Sequence, residues 1–531
     1  MIGRSYCAIA VVNQVNKSLL SNRPRVVKTA ALDGLWLMLA AWFLYLWRLG
    51  MVPLRDWDEG TIASVARDMA TSGDWIYPTL YGAPYLNKPP LVEWLMATGY
   101  LDGVSEWTSR LLPALISALA VPLLYWIGRE VFQQRRPALL SAGVFLTLLP
   151  VVRHGRLAMR DGVAVTLFLL VLLWGLRSKK QPQYALGIGI GLGLIALTKG
   201  ILVILLGLIA LVFLVINQGR HLWRNHYLWL GLALGSLPVV LWYGAQLLRY
   251  GEVYWQGHFV AQSFERVTSA IEEHQQPPWY YLLELLKYSW PWLIFWPGGI
   301  LLAWRQRQRP WGQLVLVGMG IYLGAISLMG TKLPWYIVPL YPFVALAVGG
   351  YLHHRWQRPP RWATGLLGLI AVVALGGGVY LGVVDRQPTL IAIGIALGLA
   401  TGWATGQLWR RQSRWCLTLM AGLYLTLLLL VGSDFWLWEL NEAYAVKPVA
   451  QMVNRHVPPG AEVVTTFSYG RPSLNFYCDR NILPLSGQPL LDRWLEDNLY
   501  VLAEAHHLET LPPHQEIARA EGMVLIQTVA Q

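Results

Sequence analysis

Three carboxylates lie close together in the segment RDWDEG, which directly follows a long apolar run: Asp56, Asp58 and Glu59. A carboxylate at such a point can accept the proton of a substrate hydroxyl or hold a divalent cation. The alternative is the first turn of a helix, where the helix dipole favours acidic side chains. The segment makes Asp58 and Glu59 candidate catalytic residues, and Asp58 a candidate metal ligand.

Basic residues that accompany tyrosines form a second group of candidates. Lys88 follows Tyr85 in a turn stiffened by prolines, where its ammonium could bind a phosphate as a point charge. Arg266 offers a planar guanidinium that can hold a phosphate through two hydrogen bonds. Lys332 and Tyr336, in the segment MGTKLPWY, are expected on the same face. The alternative for Lys88 is a lysine at the end of a membrane span, whose ammonium reaches the water.

Metal-ligand signals elsewhere in the chain are weak. His258 and His274 could ligate a metal, but they are widely spaced and lack the HExxH pattern. Hydrogen bonding at a helix surface is the favoured interpretation, and His258 is kept as a weak candidate ligand. The three cysteines, Cys7, Cys416 and Cys478, form no CxxC pair, so neither a thiolate metal site nor a disulfide framework is predicted.

The composition shows what kind of protein must position these side chains. Of the 531 residues, 55% are apolar and only 13% charged, where soluble chains carry roughly 25% charged residues. The mean hydropathy is +0.42. These values exclude a soluble multidomain enzyme, a disordered chain and a disulfide scaffold, and they indicate an integral membrane protein. The net charge of +13 is spread between apolar runs rather than clustered on one face, which argues against nucleic-acid binding.

A membrane-spanning helix needs about 20 mostly apolar residues, and charged or Pro/Gly-rich breaks divide the chain into about thirteen such runs. Several are shorter than a full crossing, notably the pair on either side of Lys199. The predicted runs are 30–48, 111–127, 138–152, 163–177, 184–198, 201–216, 228–245, 289–304, 313–329, 335–352, 363–383, 389–409 and 415–433.

Lysine and arginine positions predict the orientation of these spans. When the loops are numbered alternately, one set of short segments holds 22 of the 42 basic residues. Basic residues favour the cytoplasmic side, so the N-terminus is expected inside and the C-terminus outside. The opposite side then carries two long loops, 49–110 and 246–288. The 22 residues are Arg4, Lys17, Arg23, Arg25, Lys28, Arg129, Arg135, Arg136, Arg177, Lys179, Lys180, Arg220, Arg224, Arg305, Arg307, Arg309, Arg355, Arg358, Arg361, Arg410, Arg411 and Arg414.

One short outer segment, RHGRLAMRDG, runs against this trend. It holds Arg153, His154, Arg156, Arg160 and Asp161 within nine residues. Positive charge on the outer side is unusual, so an anionic ligand explains it better than topology does. The alternative is that the neighbouring spans are misassigned and that the segment is cytoplasmic.

The composition changes abruptly after the last apolar run, and the chain divides there into two predicted domains. Residues 1–433 form the multi-span domain, and residues 434–531 an exoplasmic α/β domain. Within the second domain, AVKPVAQMVNRH and LLDRWLEDNL have helical patterns, whereas AEVVTTF, SLNFYC and GMVLIQTV have strand patterns. Strands that alternate with helices are typical of a small α/β domain.

Six segments in order resemble the bacterial polyprenyl-phosphate-sugar-dependent glycosyltransferases of the GT-C superfamily. This family includes the lipid A 4-amino-4-deoxy-L-arabinose transferases and is related to the protein O-mannosyltransferases. The resemblance covers roughly residues 30–355, and the soluble tail is also typical. The six segments are DWDEG, GDWIYPTLYGAPYLNKPPLVEW, RLAMRDG, ALTKG, HFVAQSFERVTS…PPWYY and TKLPWYIVPLYP.

The resemblance implies inverting transfer of a sugar from an undecaprenyl-type phosphate to a hydroxyl or phosphate acceptor on the outer face of the bacterial inner membrane. The acceptor would be lipid A, another glycolipid or a protein, and neither nucleic acid nor a nucleotide cofactor is expected. By position in the motifs, Asp58 and Asp161 match the family's carboxylates, which makes Asp161 a candidate catalytic residue together with Asp58. The residues that match its phosphate contacts are Lys88, Arg266, Tyr85 and Tyr336.

One departure from the family concerns a divalent metal. The aminoarabinose enzymes commonly have glutamate immediately before the lysine of the KP motif, whereas this chain has Asn87. The change removes a potential ligand from a site that would otherwise use Asp58 and Asp161. Metal dependence and the identity of the sugar are therefore left open.

Two other classes of membrane protein are alternatives. A transporter or flippase of lipid-linked sugars would need polar residues near the middle of the bilayer and usually repeated halves, and neither is evident in the sequence. An envelope scaffold would explain the soluble tail but not the cations of the outer loops.

Overall fold

The computed structural model describes residues 29–56, 58–269, 276–356, 360–436, 445–494 and 499–529 of the chain, and most of them are helical. The helices as far as residue 199 are α1 (Thr29–Leu46), α2 (Asp58–Ser72), α3 (Leu91–Gly99), α4 (Glu106–Ala118), α5 (Ala120–Phe132), α6 (Arg135–Leu146), α7 (Leu149–Arg156), α8 (Arg160–Ser178) and α9 (Ala185–Lys199). A two-stranded antiparallel ribbon, β1 (Thr79–Leu80) and β2 (Ala83–Pro84), lies between α2 and α3.

The helices from residue 202 to residue 431 complete the larger part of the molecule. They are α10 (Leu202–Gln218), α11 (Arg220–Trp223), α12 (His226–Tyr254), α13 (Arg266–Thr268), α14 (Tyr280–Tyr288), α15 (Trp296–Arg305), α16 (Pro310–Leu328), α17 (Tyr341–His354), α18 (Arg361–Val384), α19 (Pro388–Trp409) and α20 (Trp415–Val431). A π-helix, Trp255–Glu265, joins α12 to α13, and a 3-10 helix, Pro334–Leu340, precedes α17.

The described part of the chain has eight helical segments that are long and apolar enough to cross a membrane, and nine if the bent pair α6 and α7 is one span. The chain is therefore a multi-pass membrane protein. Each of the thirteen predicted runs falls on a helix. One of them falls on the bent pair. Four others fall on α9, α10, α15 and α20, and these four helices have 10 to 17 residues each, which is short for a full crossing.

Glycines bring α9 and α12 into backbone contact, and α9 carries Lys199 at its end. A Cβ atom added to Gly193 would lie 2.1 Å from the carbonyl oxygen of Gly235, and one added to Gly189 would lie 2.1 Å from the carbonyl carbon of Gly231. Small residues four positions apart allow this close approach of membrane helices. The contact fixes the position of α9.

The segment TIASVARDMATSG has apolar residues at helical spacing and predicts an amphipathic helix that could lie in the membrane interface. In the structure this segment belongs to α2, which is largely enclosed by protein instead. Nine of its fifteen residues are buried, because the helix packs between α3 and the C-terminal tail. It begins with two acidic residues, as a helix N-terminus favours, and ends before Gly73, whose φ of +73° suits glycine.

The C-terminal tail folds around a five-stranded sheet with the strand order β4-β3-β5-β7-β6. Strand β3 pairs in parallel with β4 and β5, whereas β7 pairs antiparallel with β5 and β6. Helices connect the parallel strands, as parallel pairing requires. The elements are α21 (Val446–His456), β3 (Val463–Thr465), α22 (Pro472–Cys478), β4 (Leu483–Pro484), α23 (Gln488–Trp494), β5 (Tyr500–Glu504), β6 (His514–Ala520) and β7 (Met523–Thr528).

The strand predicted at SLNFYC is wrong, because these residues lie in α22. Their apolar side chains alternate as in a strand, but Pro472 sits in the first turn, where its fixed φ favours a helix. Five of the seven residues of α22 are buried, so no exposed polar face reveals the helical period. Phe476 belongs to the core of the membrane helices, whereas the sheet has apolar clusters of its own.

Candidate active site

Two aspartates from different segments meet at one place. Asp58 is the first residue of α2, and Asp161 lies in the first turn of α8. Burial raises the pKa of the Asp58 carboxyl, and the negative charge of Asp161 raises it further, while Arg55 and Lys199 act in the opposite direction. Within the described residues, no donor forms a hydrogen bond with the Asp58 carboxylate, so its oxygens are available to a substrate.

Lys199 holds the second aspartate. Its Nζ donates to Oδ1 of Asp161 at 2.5 Å and lies 5.2 Å from the centre of the Tyr336 ring. Lys199 lies in the ALTKG motif but was not predicted as a site residue. A lysine between two apolar runs is itself a signal, because a charge at membrane depth is costly and usually functional.

The two cations predicted to bind phosphate, Lys88 and Arg266, also come together. Burial, together with the neighbouring positive charges of Arg266 and Arg160, lowers the pKa of Lys88 to about 7. Nζ of Lys88 donates to Oε1 of Gln262 at 3.1 Å, and Nη1 of Arg266 donates to the Tyr336 hydroxyl at 3.4 Å. In the described part of the chain, both cations have only neutral hydrogen-bond partners, so their charge is free to bind an anion.

A buried network positions the predicted Tyr85. Nη2 of Arg160 donates to the Tyr85 hydroxyl at 3.5 Å and also forms an ion pair with Glu93. Both Tyr85 and Glu93 are buried, and burial raises the pKa of each side chain. Arg160 and Glu93 neutralise each other, so this part of the site adds no net charge.

The charges around the site favour an anionic ligand. Glu93 neutralises Arg160, and Asp161 neutralises Lys199. The remaining charged groups include two cations, Lys88 and Arg266, and the carboxylate of Asp58. A phosphate beside Lys88 and Arg266 would form charge-assisted hydrogen bonds, which are among the stronger contacts in proteins.

Glu59, predicted as a catalytic residue, is a structural one. Its two carboxylate oxygens accept hydrogen bonds from Nε and Nη2 of Arg110, at 2.8 and 2.7 Å, and from the backbone N–H groups of Arg55 and Ala158. Both side chains of the pair are fully buried. With four donors bound, Glu59 has no oxygen left for a substrate, which favours a structural role over the predicted catalytic one.

Two arginines of the charge-dense segment also have structural partners in place of the expected anion. Arg156 donates to the carbonyl oxygens of Leu44, Tyr45 and Trp47 at 2.7, 2.7 and 2.8 Å, around the C-terminal end of α1. These carbonyls have no partner within a helix and need donors. Nε of Arg153 donates to the carbonyl oxygen of Trp436 at 2.9 Å. Arg160 and Asp161 of this segment lie at the site.

Two further predicted site residues point elsewhere. Nζ of Lys332 donates to the carbonyl oxygen of Met329 in its own loop, at 2.5 Å. His258, the weak candidate metal ligand, is buried with both ring nitrogens in hydrogen-bond contact, one with the carbonyl oxygen of Leu86 and one with the Tyr243 hydroxyl. His258 is therefore a hydrogen-bonding residue, and His274 lies outside the described residues.

Carboxylates and histidines close enough to share a metal ion lie in the tail rather than at this site. Among the described residues, such a group is formed by Glu504, His506 and His507, and the histidines are exposed. At the candidate site, Asp58 and Asp161 are accompanied by the cations Lys199 and Arg55. A divalent ion would meet repulsion from these charges, so the residues present do not fit a resident metal well.

Comparisons with known proteins find relatives of this chain in sequence and in fold. A family model for dolichyl-phosphate-mannose-protein mannosyltransferases matches residues 87–243. Undecaprenyl phosphate-alpha-4-amino-4-deoxy-L-arabinose arabinosyl transferases are similar in sequence. The protein of Edwardsiella ictaluri is 30% identical over 64% of this chain and 64% of its own length, and that of Erwinia tasmaniensis is 32% identical over 58% and 57%. The chain thus matches less than two thirds of the length of either relative.

Solved structures extend the likeness to nearly the whole chain. ArnT from Cupriavidus metallidurans bound to undecaprenyl phosphate superposes with a TM-score of 0.78 at 21% identity, covering 93% of this chain and 98% of that one. The apo oligosaccharyltransferase of Archaeoglobus fulgidus has a TM-score of 0.51 at 11% identity, covering 90% and 70%. At such identities the likeness shows a shared fold. The predicted GT-C type of fold and the resemblance to this family are confirmed.

Proposed function

We propose that this chain is an inverting glycosyltransferase, which moves a sugar from a polyprenyl phosphate such as undecaprenyl phosphate to a hydroxyl or phosphate group of an acceptor. The observation that carries the proposal is the meeting of Lys88 and Arg266 beside Asp58. The curated relatives are named for transfer from undecaprenyl phosphate, which supports that lipid as the donor carrier. Lipid A, another glycolipid or a protein would serve as acceptor.

The site residues would divide the reaction between them. The acceptor oxygen forms a bond to the anomeric carbon, and the bond from that carbon to the phosphate oxygen breaks. The phosphate leaves with the electron pair, and Lys88 and Arg266 stabilise its growing negative charge. Asp58 takes the proton of the acceptor hydroxyl, because a carboxyl with a raised pKa is a better base near neutral pH. Attack from the face opposite the phosphate inverts the anomeric centre.

Asp161 would have a different role from Asp58. Its carboxylate holds Lys199, and Lys199 lies against Tyr336, which in turn accepts a hydrogen bond from Arg266. Asp161 is thus connected to Arg266, one of the phosphate-binding cations, through two intermediate side chains. We assign it the orientation of Lys199 and Tyr336, while the proton transfer belongs to Asp58.

We propose further that the transfer needs no metal bound between Asp58 and Asp161. Asp161 already pairs with Lys199, and Asn87 supplies no carboxylate nearby. A chelator should leave the turnover of the purified protein unchanged. Loss of turnover that is restored by one added divalent metal would contradict this part of the proposal.

The cell location follows from the proposed reaction and from the 22 basic residues in one set of loops. We place the protein in the bacterial inner membrane, with the N-terminus in the cytoplasm and the site and tail on the periplasmic side. A donor with a polyprenyl chain and an acceptor in the same membrane can meet there.

The function is tested by mass spectrometry of lipids and glycoconjugates from a strain that lacks the gene. We expect a polyprenyl-phosphate sugar to accumulate and one glycolipid or glycoprotein to lose that sugar. The purified protein should then transfer the accumulated sugar to the depleted acceptor. The chain is not this transferase if the deletion strain neither accumulates a polyprenyl-phosphate sugar nor loses a sugar from a glycoconjugate, and if the purified protein is inactive with polyprenyl-phosphate sugars.

A further inference from the structure

We propose that Arg471 and Ser473 of the tail are positioning residues for Asp58, and that they act by holding Asp56. The inference rests on the proposed role of Asp58 as the base. It gives the tail a direct part in the reaction, since a segment more than 400 residues further along the chain fixes the catalytic carboxylate.

The contact between the tail and the first outer loop is a buried cluster. Asp56 and Arg471 are each 3% exposed. Oδ2 of Asp56 accepts from Nε of Arg471, and Oδ1 accepts from the backbone N–H of Ser473 at 3.0 Å and from its hydroxyl. Asp56 is thus held by an ion pair and two further hydrogen bonds, all from the tail.

Backbone contacts carry this restraint from Asp56 to the start of α2. The N–H of Asp58 donates to the carbonyl oxygen of Asp56 at 2.9 Å. The N–H of Gly60 donates to the carbonyl oxygen of Arg55 at 3.0 Å. The tail also touches this turn directly, because a Cβ atom added to Gly60 would lie 2.6 Å from the backbone nitrogen of Ser473. The tail therefore determines where the turn that bears Asp58 lies.

Further contacts hold the tail on both sides of this turn. Before it, the N–H of Leu54 donates to the Tyr477 hydroxyl at 2.8 Å, and that hydroxyl donates to Oε1 of Glu106 at 2.9 Å. After it, Nη1 of Arg67 donates to the carbonyl oxygen of Phe476 at 3.0 Å. Helix α22 is thus fixed at three points, and only the Asp56 cluster lies next to the catalytic residue.

The positioning role predicts a particular kinetic pattern. Loss of the Arg471 guanidinium should let Asp58 move, and a displacement of about 1 Å at a reacting group can cost about 100-fold in rate. The donor phosphate binds through Lys88 and Arg266, which lie outside the Asp56 cluster. Arg471→Ala should therefore lower kcat by about 10- to 100-fold, while the Kd for undecaprenyl phosphate stays within twofold of that of the wild type.

The experiment compares Arg471→Ala, Arg471→Lys and Ser473→Ala with wild type in the full-length purified protein. Ser473→Ala removes only the hydroxyl donor and is the milder variant if Arg471→Ala does not fold. The matched control is Arg493→Ala, which breaks a pair with Glu462 on the tail surface. We expect kcat to fall most in Arg471→Ala, to recover partly in Arg471→Lys and to stay unchanged in the control.

Hydrogen exchange of residues 54–62 gives a readout that does not depend on the reaction. These amides should exchange faster in Arg471→Ala and Ser473→Ala than in wild type or Arg493→Ala. Wild-type exchange and kcat in both variants would overturn the positioning role, even if the wild type is an active transferase. Faster exchange with an inactive wild type would instead keep the structural link and remove the proposed function.

Discussion

At the scale of single residues, the two aspartates of the site differ in what surrounds them. Asp161 binds the ammonium of Lys199 through Oδ1, whereas the carboxylate of Asp58 receives no hydrogen bond from the described residues. The sequence alone did not distinguish the roles of these two carboxylates. Their partners distinguish them, because Lys199 lies in a different helix and its contact with Asp161 depends on how α8 and α9 pack.

The role of Asp58 as the base is tested by Asp58→Asn. The amide keeps the size of the side chain but cannot take a proton, so turnover should fall by about 100- to 10,000-fold. The measurement is transfer from a polyprenyl-phosphate sugar by the purified variant, with its thermal stability as a check on folding. The control, Asp102→Asn, changes an exposed acid in the same loop and should keep full turnover. A folded Asp58→Asn enzyme with wild-type turnover would contradict the assignment.

Lys88 and Arg266 form the proposed phosphate clamp, which is tested by truncating each of the two side chains. Each charge-assisted contact should contribute about 1.5 to 3 kcal/mol to binding of undecaprenyl phosphate. Lys88→Ala and Arg266→Ala should each weaken binding, and the loss in the double variant should differ from the sum because the two side chains share one partner. Arg266→Lys should recover only part of the affinity, since lysine lacks the planar fork. Wild-type affinity in both single variants would rule out the clamp.

The lowered pKa of Lys88 gives the clamp a pH dependence. Below about pH 7 the side chain is already charged, whereas above it the site must take up a proton as the phosphate binds. Affinity for undecaprenyl phosphate should therefore fall as the pH rises from 7.5 to 9, by up to tenfold per pH unit. Lys88→Arg stays charged in this range and should show a flat profile. Equal profiles for the two proteins would contradict the lowered pKa.

At the scale of elements, the sequence predicted where the helices lie better than it predicted which segments they pack against. A helix over TIASVARDMATSG and its end at Gly73 were predictable from periodicity and from glycine. Its burial was not, because the partner that covers it is α22, hundreds of residues away. For the same reason Arg156 was interpreted as an anion ligand, although its partners are carbonyl groups at the end of α1.

The structural role of Glu59 is an element-scale prediction, because Glu59 and Arg110 join α2 to α4. Removing one partner of a buried ion pair leaves an uncompensated charge and costs about 3 to 5 kcal/mol. Glu59→Gln should therefore lower the thermal stability of the protein in detergent. The control is Glu516→Gln, which breaks an exposed pair with Arg519 and should leave the melting temperature unchanged. A Glu59→Gln protein that is as stable as wild type but inactive would return Glu59 to the catalytic set.

At the scale of the whole molecule, the proposed topology predicts which side of the membrane the tail faces. A reporter that is active only in the cytoplasm, fused after Gln531, should be silent. The same reporter inserted between Arg177 and Gln181, in a segment rich in basic residues, should be active and serves as the control. Activity of the fusion at Gln531 would reverse the tail and move the proposed site to the cytoplasmic face.

The contact between Asp56 and Arg471 also has a consequence for how the protein is made. Asp56 leaves the ribosome 415 residues before its partner. Every intervening span must be inserted, and the tail must fold, before the segment around Asp56 acquires its final shape. A chain that is truncated or stalled in the membrane would keep both aspartates and both phosphate-binding cations, but the turn that bears Asp58 would lack its anchor. Under the proposed function, full activity therefore requires completed synthesis, and unfinished copies transfer sugar more slowly from the lipid donors around them.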